Sequence, residues 1–443
     1  MEWPEVPVWP LAFGGMLLVG LALAWFMPDA LWPAITLFPV AAIAALAAAR
    51  PAAATALWLA ALATCPEMWL GDLIGHASEI IGIDKGVGLA LLIVCLLRYG
   101  ARFDPCNPGL AFLFMFGAGF MHGVWPGLVM ADSIRSLIGS AAPFAFSWSR
   151  LSAAWSRRVI GTVIASPFLI IGFGACLAAA RLRPLYGVED GALRLGASTH
   201  PAFLAGFTLI SVYALLLEQV RGARGWRLLA LGGDIMVLLA TGARAPLGLA
   251  LLLILLVAGA VPTQRWPWRA RVPVLLAVAA APAAAVLAAP FLGFVRLLSL
   301  ASQGNVTDLS NRTLIWPIYE AAFWRSPWFG WGTGSGKVLV PVGTLLWKLL
   351  GTNAAHDEYL RIAVEGGGVG LGLLLLLMIL WLRGAARGMR GAERSVMILV
   401  FLAFAVHSAT DNTLIATTAS LMFAWVSAVF ARAEHEAALP AAV

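Results

Sequence analysis

Residues 361–383 read RIAVEGGGVGLGLLLLLMILWLR: a charged start, a run of glycines, then an unbroken apolar block closed by an arginine. Wound as a helix, 361–382 extends about 33 Å, enough to cross a hydrocarbon core of ~30 Å. Blocks of this kind recur along all 443 residues, of which 61% are hydrophobic and 12% charged. Soluble domains carry about 25% charge, so the composition excludes a soluble enzyme and a disordered chain. Strands of a membrane barrel would read as ~10-residue alternations, which the blocks do not. Cys65, Cys95, Cys106 and Cys176 are scattered with no CxxC pair, which excludes a disulfide scaffold. The expected fold class is an all-α polytopic membrane protein.

A hydropathy window of about 19 residues marks fourteen candidate spans. They are 8–27, 31–49, 53–67, 86–99, 109–130, 134–149, 159–180, 199–218, 226–241, 245–261, 272–293, 361–382, 395–411 and 414–431. The third, fourth and sixth are short or polar, giving an expectation of 12–14 transmembrane helices. The first is read as a retained span, since no basic n-region precedes it and no small-residue cleavage site follows. The chain divides into an N-terminal bundle (1–190), helices with outward arginine turns (191–293), a large outer loop (294–360) and C-terminal helices (361–443).

Cation placement orients the bundle. With the N-terminus inside, 17 of the 29 Lys and Arg residues fall in inner loops, among them Arg50, Arg150, Arg221, Arg265, Arg383 and Arg432. This satisfies the positive-inside rule and places both termini in the cytoplasm. The other 12 lie outside. Lys85 and Arg135 stand among acids, and the remaining ten are Arg181, Arg183, Arg194, Arg244, Arg296, Arg312, Arg325, Lys337, Lys348 and Arg361. Long outer loops translocate whatever their charge, but the loops of Arg194 and Arg244 are short. Cations held there point to an anionic ligand on the outer face rather than to nucleic acid.

The 294–360 loop carries the chemistry-bearing residues. Asn311 is placed to cap a short amphipathic helix over 312–325, with Ile315, Trp316, Tyr319, Ala322 and Phe323 on one face along the membrane interface. A glycine-rich run follows at 330–336; it lacks the GxxxxGK[ST] pattern and reads as a flexible loop. His356 stands at the membrane boundary, suited to general-base chemistry or to capping a helix. If its stretch is helical, Tyr359, Leu360 and Ala363 share its face, and Arg361 pairs with Glu365. Arg244, in the turn 241–246, can grip phosphate oxygens bidentately or snorkel to the interface. Asp234 is read as structural, and Asp411 with Asn412 as a turn. The six histidines show no metal spacing, so no metal or other cofactor is expected.

Together, Arg194-Leu195-Gly196 with Pro201, Thr241-Gly242-Ala243-Arg244, Arg312 with Trp316, Pro327 and Gly330, and His356-Asp357-Glu358-Tyr359-Leu360 leading to Glu365-Gly366-Gly367 resemble the O-antigen ligase and Wzy polymerase superfamily. The resemblance covers about 190–415. It implies a GT-C-like, metal-independent inverting glycosyltransferase of the bacterial inner membrane. Such an enzyme moves a glycan from undecaprenyl pyrophosphate to an acceptor sugar at the periplasmic face. It implies that Arg194, Arg244 and Arg312 hold the pyrophosphate, that His356 activates the acceptor hydroxyl, and that Lys337, Glu358 and Tyr359 position acceptor or substrate. Members often have Asn or Ser directly after the histidine; this chain has Asp357. Polymerisation of O-antigen or exopolysaccharide repeats is the expected reaction, with ligation to lipid A core as the alternative. A polysaccharide transporter or flippase is the rival class, opposed by the scarcity of mid-span ionisable residues.

Overall fold

The structure is a computed structural model and describes residues 43, 45–47, 49–74, 77–189, 192–292, 312–350, 352–414 and 417–438. Helices run through nearly all of it. Before the large loop they are α1 (Pro51–Ala63), α2 (Pro66–Ile74), α3 (Ala77–Tyr99), α4 (Gly109–His122), α5 (Met130–Ala145), α6 (Ala153–Ala179), α7 (Pro201–Arg221), α8 (Gly225–Thr241), α9 (Arg244–Ala260) and α10 (Trp268–Leu292). The loop contributes α11 (Arg312–Arg325) and the single turn and a half of α12 (Leu345–Leu350). After it come α13 (Glu358–Ala386), α14 (Gly391–Ser408) and α15 (Thr417–Ala438).

The expected spans from 53–67 onward each have a helix in place, while the first span, and all but a few residues of the second, lie outside the described residues. Among the described residues, fewer helices than the expected 12–14 are long and apolar enough to cross by themselves. Five among the described residues pass: Ile80–Tyr99, Ala153–Ala179, Pro201–Arg221, Glu358–Ala386 and Gly391–Ser408. The bent pair Pro51–Ala63 and Pro66–Leu73 makes a sixth, broken by 60°. Gly109–His122 and Arg244–Ala260 are apolar but shorter. A 17-residue helix extends only about 26 Å, short of the ~30 Å core.

The all-α expectation misses one small element. Tyr186–Glu189 (β1) and Ala192–Leu195 (β2) pair antiparallel, with Gly187 opposite Arg194. The Asp-Gly dipeptide at 190–191 is the sequence signal for such a hairpin.

Helix α7 occupies the centre, contacting α6, α8, α9, α14 and α15; Leu204, Phe207, Val212 and Leu216 are fully buried. A helix apolar all round belongs in such a place. Asp234, midway along α8, is fully buried on the α7 side. Aromatic rings bind the C-terminal helices to α5, with Phe144 and Phe423 at 3.9 Å between centroids and Trp381 edge-on to Phe430 at 4.8 Å. At one end of the bundle Arg221 joins Glu393 (2.5 Å) and Glu436, and Glu218 joins Arg227 (3.5 Å) and Arg432. These pairs gather the ends of α7 and α15 and the starts of α8 and α14 on one face. The opposite ends of the same helices therefore share the other face, where the site lies.

Helix α13 is not continuous. Gly367 has φ 63 and ψ −170, and the glycine-rich run lies against this break. Trp331 and Gly332 donate backbone hydrogen bonds to the carbonyls of Val364 and Glu365 (2.9 Å each). In return Gly368 and Val369 donate to those of Pro327 and Trp328 (2.7 and 3.1 Å). The run is thus a packed clasp and not a flexible loop. Glycine is required where the backbones meet: a Cβ on Gly367 would lie 2.2 Å from the Trp328 carbonyl carbon.

Candidate functional site

Helix α13 starts at Glu358 because Asp357 caps it, its carboxylate accepting from the Leu360 amide at 3.0 Å. His356 therefore stands just outside the helix and does not share its face with Tyr359, Leu360 and Ala363. Its backbone is left-handed, φ 50, a conformation rare for a non-glycine residue. Neighbours enforce it. Trp316 Nε1 donates to the Ala355 carbonyl (2.9 Å), and the Tyr319 hydroxyl lies 2.6 and 2.9 Å from the carbonyls of Gly336 and Asn353. Strain held in place this way is a feature of functional sites.

The apolar face of α11 does this work. Ile315, Tyr319 and Ala322 are buried with Val340, Ala355 and Val364, so this face is covered by protein instead of lying on the membrane. Helix α11 is the shelf under the His356 segment.

The imidazole meets the turn between α14 and α15. His356 Nδ1 lies 3.5 Å from Asp411 Oδ1 and 3.4 Å from the Asn412 amide, while Nε2 lies 3.3 Å from the Thr352 hydroxyl. Asp411 also faces His407 Nε2 at 3.8 Å. Burial pushes its carboxyl up, but the hydrogen bond from His356, the His407 charge and the Asn412 amide together hold it below the usual carboxylate range. The turn is fixed by Ser408 and Thr413, whose hydroxyls are 2.6 Å apart, and by Glu358, which accepts from the Leu414 amide at 2.6 Å. Asp411 and Asn412 do turn the chain, as read from the sequence, yet they also supply the partners of His356. The i, i+4 spacing of His407 and Asp411 signals only their own contact and not the one with His356.

Glu358 is spoken for: it is 2% exposed, with one oxygen on Leu414 and the other 2.5 Å from Arg361 Nε. Arg361 also pairs with Glu365 at 2.9 Å, the pair expected from spacing. Lys337 lies beside this charged group. Burial pushes its amine below the ordinary range, and the neighbouring Glu365 opposes that shift. Tyr359 donates to the Ala405 carbonyl at 2.8 Å, fastening α13 to α14.

Arg194 and Arg244 meet at the α8–α9 turn. Arg194 is 6% exposed, and its Nε donates to the Thr241 carbonyl at 2.7 Å. Gly242, with φ 64, lets the chain turn there so that Arg244 opens α9. Because α9 packs on α14, the arginine turn and the His356–Asp411 pair share one end of the bundle. Arg312 begins α11, but its side chain lies outside the described residues.

Between α13 and α14 runs an apolar cavity of about 280 Å³. Ile362, Leu374, Met378, Phe401 and Leu402 line it, and Tyr359, Ser408 and Leu414 close its upper end beside the Asp411 turn. Among the described residues no group of three or more His, Cys, Asp or Glu side chains is arranged to hold a metal.

The fold and site define a polytopic helical membrane protein with a histidine–aspartate pair and buried arginines at one face. Residues 226–375, from α8 to the middle of α13, match the family model described as O-Antigen ligase. The match includes Arg244, the glycine-rich clasp and His356, and bears out the resemblance over that stretch. No curated protein matches the chain.

Proposed function

We propose that this protein is a metal-independent, inverting glycosyltransferase using undecaprenyl-pyrophosphate-linked glycan as donor and an acceptor sugar at the periplasmic face of the inner membrane. The observation that carries the proposal is the contact of His356 with Asp411, in a turn whose flanking residues Ser408 and Leu414 line an apolar groove. With Nδ1–H turned to Asp411, Nε2 is the accepting nitrogen; an acceptor hydroxyl that takes the place of the Thr352 hydroxyl, 3.3 Å away, gives its proton to it. The freed oxygen attacks the anomeric carbon, and the carbon–oxygen bond to the pyrophosphate breaks on the opposite face. General-base assistance of this kind is worth ~10²–10⁴-fold.

The leaving pyrophosphate needs positive charge. Arg244 supplies it, Arg194 holds the turn and adds to the field, and Arg312 completes the set from α11. Arginine suits this role because its fork matches phosphate oxygens and its charge is permanent. The groove between α13 and α14 takes the polyprenyl tail, keeping the scissile bond near His356. Lys337 and Tyr359 shape the acceptor side, and Glu358 fixes the ground on which His356 stands.

Extension of O-antigen or exopolysaccharide repeats is the reaction we favour. Ligation to lipid A core is the second reading, supported by the description of the matched family model. Surface glycan from a deletion strain separates them on a gel. Loss of a polymerase leaves single repeats on the acceptor, whereas loss of a ligase leaves long chains on the lipid carrier. Transfer by reconstituted protein should persist in excess EDTA and fail in Arg244→Ala. Inhibition by chelation would overturn metal independence.

A further inference from the structure

The last turn of α11 and the turn that follows it carry large apolar side chains that the protein leaves uncovered: Trp324 is 73% exposed and Trp328 70%, with Phe329 at 44%. Their depth is set by the clasp with α13. Counting about 20 residues back from Arg383 puts the outer edge of a ~30 Å core near Ala363. Gly368 and Val369, which donate to the carbonyls of Pro327 and Trp328, then lie about 8 Å inside that edge. A second contact agrees. The Phe329 ring sits 6.5 Å from Phe114 and 6.4 Å from His122, alongside apolar helix α4 below its outer end.

We infer that the Trp324–Gly332 turn of the outer loop dips into the outer leaflet, with Trp324, Trp328 and Phe329 in contact with lipid acyl chains. Irregular backbone survives at such depth only when its polar groups are met by protein. Here they are. Gly330 donates to the Ser326 carbonyl, the Ser326 hydroxyl donates back to that of Gly330, and Pro327, Trp328, Trp331 and Gly332 are bonded to α13. Proline at 327 brings no N–H to satisfy. Arg325, exposed and within 6.0 Å of the Trp125 ring, stands where its guanidinium reaches the headgroup layer.

The test is spin labelling of the full-length protein in phosphatidylethanolamine–phosphatidylglycerol vesicles, with Cys106 and Cys176 changed to serine. A nitroxide at Trp328→Cys should collide with oxygen several-fold more than with a water-soluble nickel chelate, as should a control label at exposed Leu376 on α13. One at exposed Glu320→Cys should show the reverse. A Trp328 label that follows Glu320 overturns the inference, and so does one shielded from both probes, which would mean a protein partner covers the turn. Wild-type protein in vesicles with diazirine-bearing acyl chains gives an answer free of substitutions. Adducts within 324–329 are expected, and their absence alongside labelling of α13 contradicts the proposal.

Discussion

Asp411 Oδ1 stands 3.5 Å from His356 Nδ1, joining the start of α13 to the turn that ends α14. In the proposed mechanism the aspartate is a positioning residue for the base. Asp411→Asn keeps the shape of the turn and removes the charge that stabilises the imidazolium formed in the transition state. Transfer is expected to fall by a large part of the ~10²–10⁴-fold general-base contribution, with donor binding little changed.

The same contact has a pH signature. The Asp411 carboxyl is held below the usual carboxylate range, so its interactions favour the folded state wherever it is charged. That contribution is complete above about pH 4 and is lost as pH falls through the depressed value. The thermal midpoint of Asp411→Asn should lie below that of the wild type at pH 7. The gap should narrow as the pH drops below about 4.

In the proposed mechanism Arg194 and Arg244 divide the work at the α8–α9 turn. Arg194→Ala removes the donor to the Thr241 carbonyl inside the protein, a loss of about 1–3 kcal/mol in stability measurable by thermal unfolding. Arg244→Lys keeps the charge and loses the fork. A charge-assisted hydrogen bond is worth about 1.5–3 kcal/mol, so kcat/KM for the lipid-linked donor should fall roughly ten- to hundredfold with the fold intact.

Gly367→Ala tests the clasp. The left-handed backbone alone costs about 1–3 kcal/mol for alanine, and the Cβ also meets the Trp328 backbone at 2.2 Å. A marked fall in thermal midpoint is expected. Gly372→Ala, five residues on, meets nothing within 4 Å and should be neutral or slightly stabilising.

Much of this was legible in the sequence, and the gaps have physical causes. Apolar blocks located the helices because a span must be long and apolar, and the 312–325 helix matched its expected bounds. Helix α13 hides its break because the apolar pattern runs on past a single glycine, and Gly366-Gly367-Gly368 reads equally well as close helix packing. His356 and Arg244 were singled out because their chemistry is uncommon at the boundary expected to face outward. Asp411 was read as a turn because its partner lies across a helical hairpin, and no local spacing encodes that contact. Asp357, the departure from the family pattern, is explained by its cap: Asn and Ser cap helices equally well. Asp357→Asn should therefore leave stability nearly unchanged, while Asp357→Ala should cost about 1 kcal/mol in thermal unfolding.

The most direct measurement is transfer by purified, vesicle-reconstituted protein under single-turnover conditions, comparing wild type, His356→Ala and Asp411→Asn, with donor binding measured separately. The account predicts that His356→Ala binds the lipid-linked donor and transfers nothing measurable, with Asp411→Asn intermediate. Wild-type turnover by His356→Ala would contradict it.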